Sequence, residues 1–206
     1  MSSVTTKRSY NSSRRAAQAA QTRADVLAAA VESFSESGWA GTTLNAVAAR
    51  AGVAVETIYH GFGTKKQLLR EAMDVAVVGD AEPIPLVDRP EWAEMQRGNR
   101  AQRIAKGVAL NTGIQQRSAH VWRAIVEAAH ADPEVAAFQD EIEAGRAHDL
   151  KLGLELVLRK PVDGPVYDVL FALYGPETYV LLTERRGLSR AEYETVIAET
   201  TLKLAG

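Results

Sequence analysis

Apolar residues recur at helical spacing along almost the whole chain, and no segment of useful length alternates with the period of a strand. Val26, Leu27, Ala30, Val31 and Phe34 make one face of a helix predicted over about Thr22–Ser37. Gly38 ends it as a C′ residue, and Trp39 packs back on the last turn. After a tight connection, Leu68, Leu69, Ala72, Met73 and Ala76 stripe a helix from Thr64 to about Val78, stopped by Gly79. Residues 80–99 hold three of the seven prolines and read as a connector, with one short helix from Pro90 to Arg97 and Trp92 as a hydrophobic plug.

Two helices are then expected. Arg100 to about Gln116 carries Ile104, Val108, Leu110 or Asn111, and Ile114, and Ser118 to about Ala131 carries Val121, Trp122, Ile125, Val126 and Ala129. Asp132-Pro133-Glu134 opens a long helix, with Asp at the N-cap, Pro at the first helical position and an acid in the first turn. It runs through Val135, Phe138, Ile142 and Leu150 to Val157 or Leu158. After a loop over 159–165, a helix from Val166 to about Arg186 is kinked by Gly175-Pro176 and ended by Gly187. Ser189-Arg-Ala-Glu192 is a capping box for the last helix, with Tyr193, Val196, Ile197, Thr200 and Leu204. The expected fold is all-α. Residues 1–21, poor in large apolar residues, read as a flexible basic arm that turns helical from about Arg14.

The pattern between Thr42 and Lys66 is the most constrained. Val47 and Ala48 precede a small Ala51, a glycine at 52, an apolar Val53 and Ile58. Two helices crossing steeply need a small residue where they touch, which Ala48 supplies. The sharp connection needs a residue tolerant of positive φ, which Gly52 supplies. Val47, Val53 and Ile58 close a small core beneath. The second helix, about Val55–His60, is short enough for a DNA major groove. An ordinary αα-hairpin with Gly52 as its C′ residue has the same spacing. The residues after the second helix favour DNA. Thr64-Lys-Lys-Gln67 is a capping box, and its two lysines sit where a helix dipole disfavours cations. A phosphate beside Lys65 would explain at least one.

Charge sharpens the picture. The chain is −2 overall, yet residues 1–66 carry eight basic residues against four acidic ones, a net of +4, and the other 140 carry −6. A basic front end on an acidic body suits a polyanion contacted at one end. There is no cysteine, which removes disulfides, thiolate metal sites and a cysteine nucleophile. With no transmembrane-length apolar run and no signal-peptide core, a cytoplasmic protein without membrane contact is expected. No phosphate loop, nucleophile elbow or zincin motif is present, so no enzyme is expected. Glu127-x-x-His130, with His120 and Asp132 nearby, places a carboxylate and an imidazole on one helix face. Carboxylate-bridged metal bundles need two such pairs, so no metal or other cofactor is expected.

These residues also carry a resemblance. Leu27-x-x-Ala30, Phe34-x-x-x-Gly38-Trp39, Thr42-Thr43, Val47-Ala48, Ala51-Gly52-Val53, Thr57-Ile58-Tyr59, Phe62-x-x-Lys65 and Leu68-Leu69 resemble the DNA-binding domain of the TetR family of transcriptional regulators over residues 22–73. The segment from Val169 to Tyr193 is similar to the C-terminal domain of one subgroup. The resemblance implies a helix-turn-helix domain over 22–66 and a helical ligand-binding and dimerisation domain over 67–206, linked by the helix from 64. It implies a homodimer on a near-palindromic double-stranded operator, acting as a repressor that responds to a small, mostly apolar effector. Thr43 falls where the family touches phosphate, and Asn45 where a base-reading arginine is common. Val55, Glu56 and Thr57 open the recognition helix, Tyr59 and His60 are phosphate-side or thymine contacts, and Lys65 matches a phosphate-binding lysine. Asn45, Glu56 and Gly61 depart from the family pattern and keep open a helical module that has lost DNA binding. Candidate pocket residues are Asn111, Trp122, His130, Phe138, Phe171 and Tyr174. Candidate dimer-interface residues are Val169, Leu173, Val180, Tyr193, Val196 and Ile197.

Overall fold

The computed structural model describes residues 5–82 and 84–206, with side chains from Arg14 onward; residues 1–4 of the expected arm lie outside the described residues. Every regular element among the described residues is a helix. Helix α1 runs Thr5–Gly41, α2 Leu44–Ala51, α3 Val55–Phe62 and α4 Lys65–Val78. After a single 3-10 turn at Leu86–Asp88 come α5, Pro90–Glu94, α6, Arg100–Ala129, and α7, Pro133–Leu158. Helices α8, Gly164–Leu173, and α9, Pro176–Val180, lead through a π-helical turn at Leu181–Arg185 to α10, Arg190–Leu204.

The ends of these helices follow from their capping residues. Thr43 caps α2, its hydroxyl accepting from the Ala46 N–H at 3.1 Å. Asp132 caps α7 with Pro133 at its first position. Ser189 and Glu192 form the full capping box of α10, and Asn99 with Gln102 forms another on α6 that the sequence pattern did not suggest. The box expected at Thr64 is half made. Thr64 accepts from the Gln67 N–H, but the Gln67 side chain turns forward to Glu71. Gly175-Pro176 breaks the penultimate helix into α8 and α9 rather than kinking it.

Two expectations about helices are corrected. Among the described residues helix already runs from Thr5, ahead of the turn to helix expected near Arg14, and the alanine-rich stretch over Arg14–Gln21 favours its continuity with the helix expected from Thr22. The two helices expected over 100–131 are one helix of 30 residues, α6. Its middle looks like a loop because Thr112, Gln115 and Ser118 are polar. All three are buried on the inner face of an unbroken helix, where Thr112 and Ser118 donate to backbone carbonyls one turn back.

Helix α6 is the spine. It packs against α1 and α4 on one side, α7 on another, and α9 and α10 towards the C-terminus. Two cores result. The first joins Phe34, Val47, Ile58, Leu68 and Leu69 of the N-terminal helices to Val121, Ile125 and Phe138 of the body. The second gathers Ile104, Val108, Leu154, Leu170, Tyr193 and Ile197. The helix-turn-helix therefore has no separate core, but shares one with α6 and α7.

Candidate nucleic-acid interface and interior cavity

The connection between α2 and α3 turns on Gly52, in the left-handed region at φ 67° and ψ 30°, with its N–H bonded back to carbonyls of α2. Ala48 is 3% exposed at the crossing, and Val47 and Ile58 are fully buried beneath it. This anchoring leaves the outer face of α3 free. Glu56, Thr57, Tyr59 and His60 are exposed, and Tyr59 at 56% is the most exposed large apolar side chain among the described residues. Thr43 and Asn45 are exposed at the start of α2. Val55 differs from the other candidates, because it packs partly buried against the first core. Arg14 and Arg15 are exposed on the N-terminal part of α1.

Lys65 and Lys66 find partners inside the chain. The Lys65 ammonium donates to the Trp39 carbonyl and lies 4.0 Å from the centre of the Trp39 ring. Burial pushes its pKa down, partly offset by Glu127. Lys66 pairs with Asp132 and Glu134, holding the cap of α7 against α4. These contacts explain both cations at the start of α4 without a phosphate.

In the Glu127-x-x-His130 pair the carboxylate is committed to the backbone. The Glu127 carboxylate accepts from the backbone N–H groups of Trp39 at 2.9 Å and Ala40 at 3.0 Å. It thereby caps the turn that leads into α2. His130 is exposed at the end of α6 and His120 bonds to Glu184 at 2.7 Å. No group of metal-ligating side chains assembles among the described residues.

Between α4, α6 and α7 lies a half-open cavity of about 440 Å³, bordered by α5, by Pro85 and Leu86, and by the residues leading into α9. Asn111, Trp122 and Tyr174 line it as the sequence suggested. His130, Phe138 and Phe171 do not. His130 is on the surface, Phe138 sits in the first core under the Arg70 guanidinium, and Phe171 lies outside, beneath Arg146. Sequence reasoning missed Asp74, Gln115, Arg146 and Asp149 on its wall. The signal was available on α7, where Ile142, Arg146, Asp149, Leu150 and Gly153 fall on one helical stripe. At Gly153 the Trp92 indole comes within 3.5 Å of where a Cβ would stand.

The exposed apolar residues of the last helices form a third feature. Val169 is 51% exposed, Leu181 47% and Val196 43%, and Leu173 and Val180 are half-buried. Tyr193 and Ile197 are corrected. Both are fully buried in the second core, where Tyr193 meets Tyr179 edge-on at 5.3 Å, so neither reaches a partner.

A helix-turn-helix seated on an all-helical body defines a class, and its N-terminal part is similar to a known family. Residues 26–72 match the model of bacterial regulatory proteins, tetR family. None of the curated proteins matches the chain. Among solved structures, a transcriptional regulator from Rhodococcus sp. Rha1 superposes with a TM-score of 0.61 at 18% identity, covering 87% of this chain and 94% of that one. A HlyIIR mutant carrying a GSSGSSG linker gives 0.61 at 16% identity, with 88% and 94% covered. An alanine-substituted HlyIIR mutant gives 0.51 at 16% identity, with 90% and 93% covered. Residues 26–72 thus match the domain of bacterial regulatory proteins of the tetR family, and the chain as a whole shares the fold of these solved structures.

Proposed function

We propose that this protein is a ligand-responsive repressor that binds a near-palindromic operator as a homodimer in the cytoplasm. The observation that carries the reading is the course of α4. Its N-terminus follows the recognition helix, with Lys65 on Trp39, and its C-terminal turns supply Met73, Asp74 and Val77 to the cavity wall. One rigid element therefore touches both the DNA-reading unit and the cavity. Thr57, Tyr59 and His60 on α3, with Thr43 and Asn45 on α2, would meet the groove and its phosphates. Two copies would set their α3 helices roughly 34–36 Å apart, one turn of DNA. An effector in the cavity would favour a different tilt of α4, and near-complete release needs a preference of about 5.5 kcal/mol for that state.

The test is selection from genomic fragments at low salt, followed by titration of the recovered site. Specific binding with a steep negative salt slope, weakened by Thr43→Ala and Tyr59→Ala, is expected. The internal pairing of both lysines and the exposed Glu56 favour a second reading, a helical small-molecule-binding module without DNA binding. Failure to enrich any fragment would select that reading.

A further inference from the structure

The polar groups on the cavity wall are arranged unevenly. Asn111 and Gln115, one turn apart on α6, both turn their amide N–H₂ groups onto one acceptor, the Tyr174 carbonyl, at 3.3 and 2.9 Å. A carbonyl accepts only, so the orientation of both amides is fixed and their oxygens point elsewhere. The Gln115 oxygen is buried, on a residue 3% exposed, and has no partner among the described residues. A buried acceptor left unmade carries a desolvation cost that a donor would remove. Two other donors on the wall are committed: the Trp122 indole N–H to Glu177 at 2.7 Å and the Ser118 hydroxyl to Ile114.

The charged residues lean the same way. Asp74 on α4 and Asp149 on α7 line the cavity, and burial raises the pKa of each. The groups that act against this are near neighbours in sequence, Arg70 for Asp74 and His148 for Asp149. Against these stands one guanidinium on the wall, Arg146. It donates to the Phe171 carbonyl at 3.2 Å, and its face lies 3.6 Å from the centre of the Phe171 ring. Glu143 and Glu177 also act on it. The rest of the wall is apolar, with Trp92, Leu110, Ile114, Leu150 and Val157.

We propose that the cavity takes an amphipathic ligand whose polar end is a hydrogen-bond donor, an amine or ammonium group, set against the Gln115 oxygen and the carboxylates of Asp149 and Asp74. The apolar body of the ligand lies along α6 and α7 under Trp92. This rests on the reading of the cavity as a ligand site. The size of the cavity falls within the ~300–1,000 Å³ usual for small-molecule sites.

The experiment compares decylamine, decanol and decanoate by calorimetric titration of the full chain at neutral pH, below their aggregation concentrations. Each has ten carbons, and they differ in the head group. Decylamine is expected to bind at least about tenfold more tightly than decanoate, or 1.4 kcal/mol, with decanol between. Gln115→Leu and Asp149→Asn should each shrink the advantage of decylamine over decanoate. Asp74→Asn, on the α4 wall, serves the same purpose if either of these variants fails to fold. Decanoate binding as tightly as decylamine would overturn the inference and leave the cavity a ligand site governed by Arg146. An amine preference untouched by all three substitutions would also overturn it, placing the amine elsewhere. Absence of binding by all three probes would remove both the inference and the cavity reading beneath it.

Discussion

Gly38 is the residue with the least freedom to change. Its backbone stands at φ 66° and ψ −169°, where the helix of α1 breaks before one last turn to Gly41. That region is open to almost no residue but glycine. A Cβ built there would also meet the Glu127 carboxylate oxygen at 2.6 Å. Gly38→Ala should cost about 2 kcal/mol or more in urea unfolding, from strain and from displacement of Glu127 together. Adding Glu127→Ala removes the clash but not the strain, so it should recover less than half of the loss. Full recovery in the double variant would mean that the backbone angle is not the constraint. Asp80 permits a second residue-scale prediction. The Arg89 guanidinium donates to both its oxygens, at 2.7 and 2.9 Å, and holds the carboxyl at about 2 against an ordinary 3.8. A depressed acid stabilises the fold above its ordinary pKa and ceases to as pH falls through the lowered one. The urea midpoint of the wild type should exceed that of Asp80→Asn by a constant margin above about pH 5, and the margin should close between about pH 4 and pH 2. A margin that widened on acidification would rule out this pairing.

At the scale of elements, α4 is held at its far end by a residue from the spine. Arg117 of α6 donates to the carbonyls of Ala76 at 3.0 Å and Val77 at 2.8 Å, groups that the end of a helix leaves without partners. The site is partly open to water, so Arg117→Ala should cost only about 1–2 kcal/mol of stability. The sharper expectation concerns coupling. If α4 carries the response, Arg117→Ala should keep operator affinity within a few fold while the effect of an effector on that affinity falls. An unchanged effector response would move the transmitter off α4. This element also marks what the sequence could reveal. The stripe Leu68, Leu69, Ala72, Met73 and Ala76 announced α4 and its buried face, and Gly52, Ala48 and Ile58 announced the helix-turn-helix. Those signals are local, within one or two turns. The partners of Lys65, Lys66 and Glu127 are 26, 68 and 88 residues away, which no spacing rule reports. The cavity was half legible for the same reason. Asn111, Trp122 and Tyr174 were found as bulky or amide groups on buried faces, while Arg146 and Asp149 look like ordinary solvated charges until α7 is laid against α6. Polar residues buried in the middle of α6 carried the opposite signal and suggested a break that does not exist.

For the molecule as a whole, the balance lies between the apolar surface kept inside and the part left outside. Tyr193 and Ile197 of α10 face inward and complete the second core. Val169 of α8, Leu181 in the π-helical turn and Val196 of α10 face outward from the same C-terminal helices. Scattered exposed apolar residues are common on monomers, whereas in the proposed homodimer this set would lie in the contact surface. A two-fold pairing of this face would be self-complementary, each copy presenting the same residues. The two sets therefore predict different outcomes for substitutions only a few residues apart. Val169→Asp combined with Val196→Asp should leave helicity and the unfolding transition of the monomer in place but halve the mass measured by light scattering. Operator binding should fall with it, because a monomer meets only one half-site. Tyr193→Asp should do something else, lowering helicity itself by placing a charge in the second core. A Val169→Asp, Val196→Asp protein that remained dimeric and bound its operator normally would show that the copies pair through another face. The outward valines would then be isolated surface residues, and the two-fold arrangement of recognition helices would have to be built from a different contact.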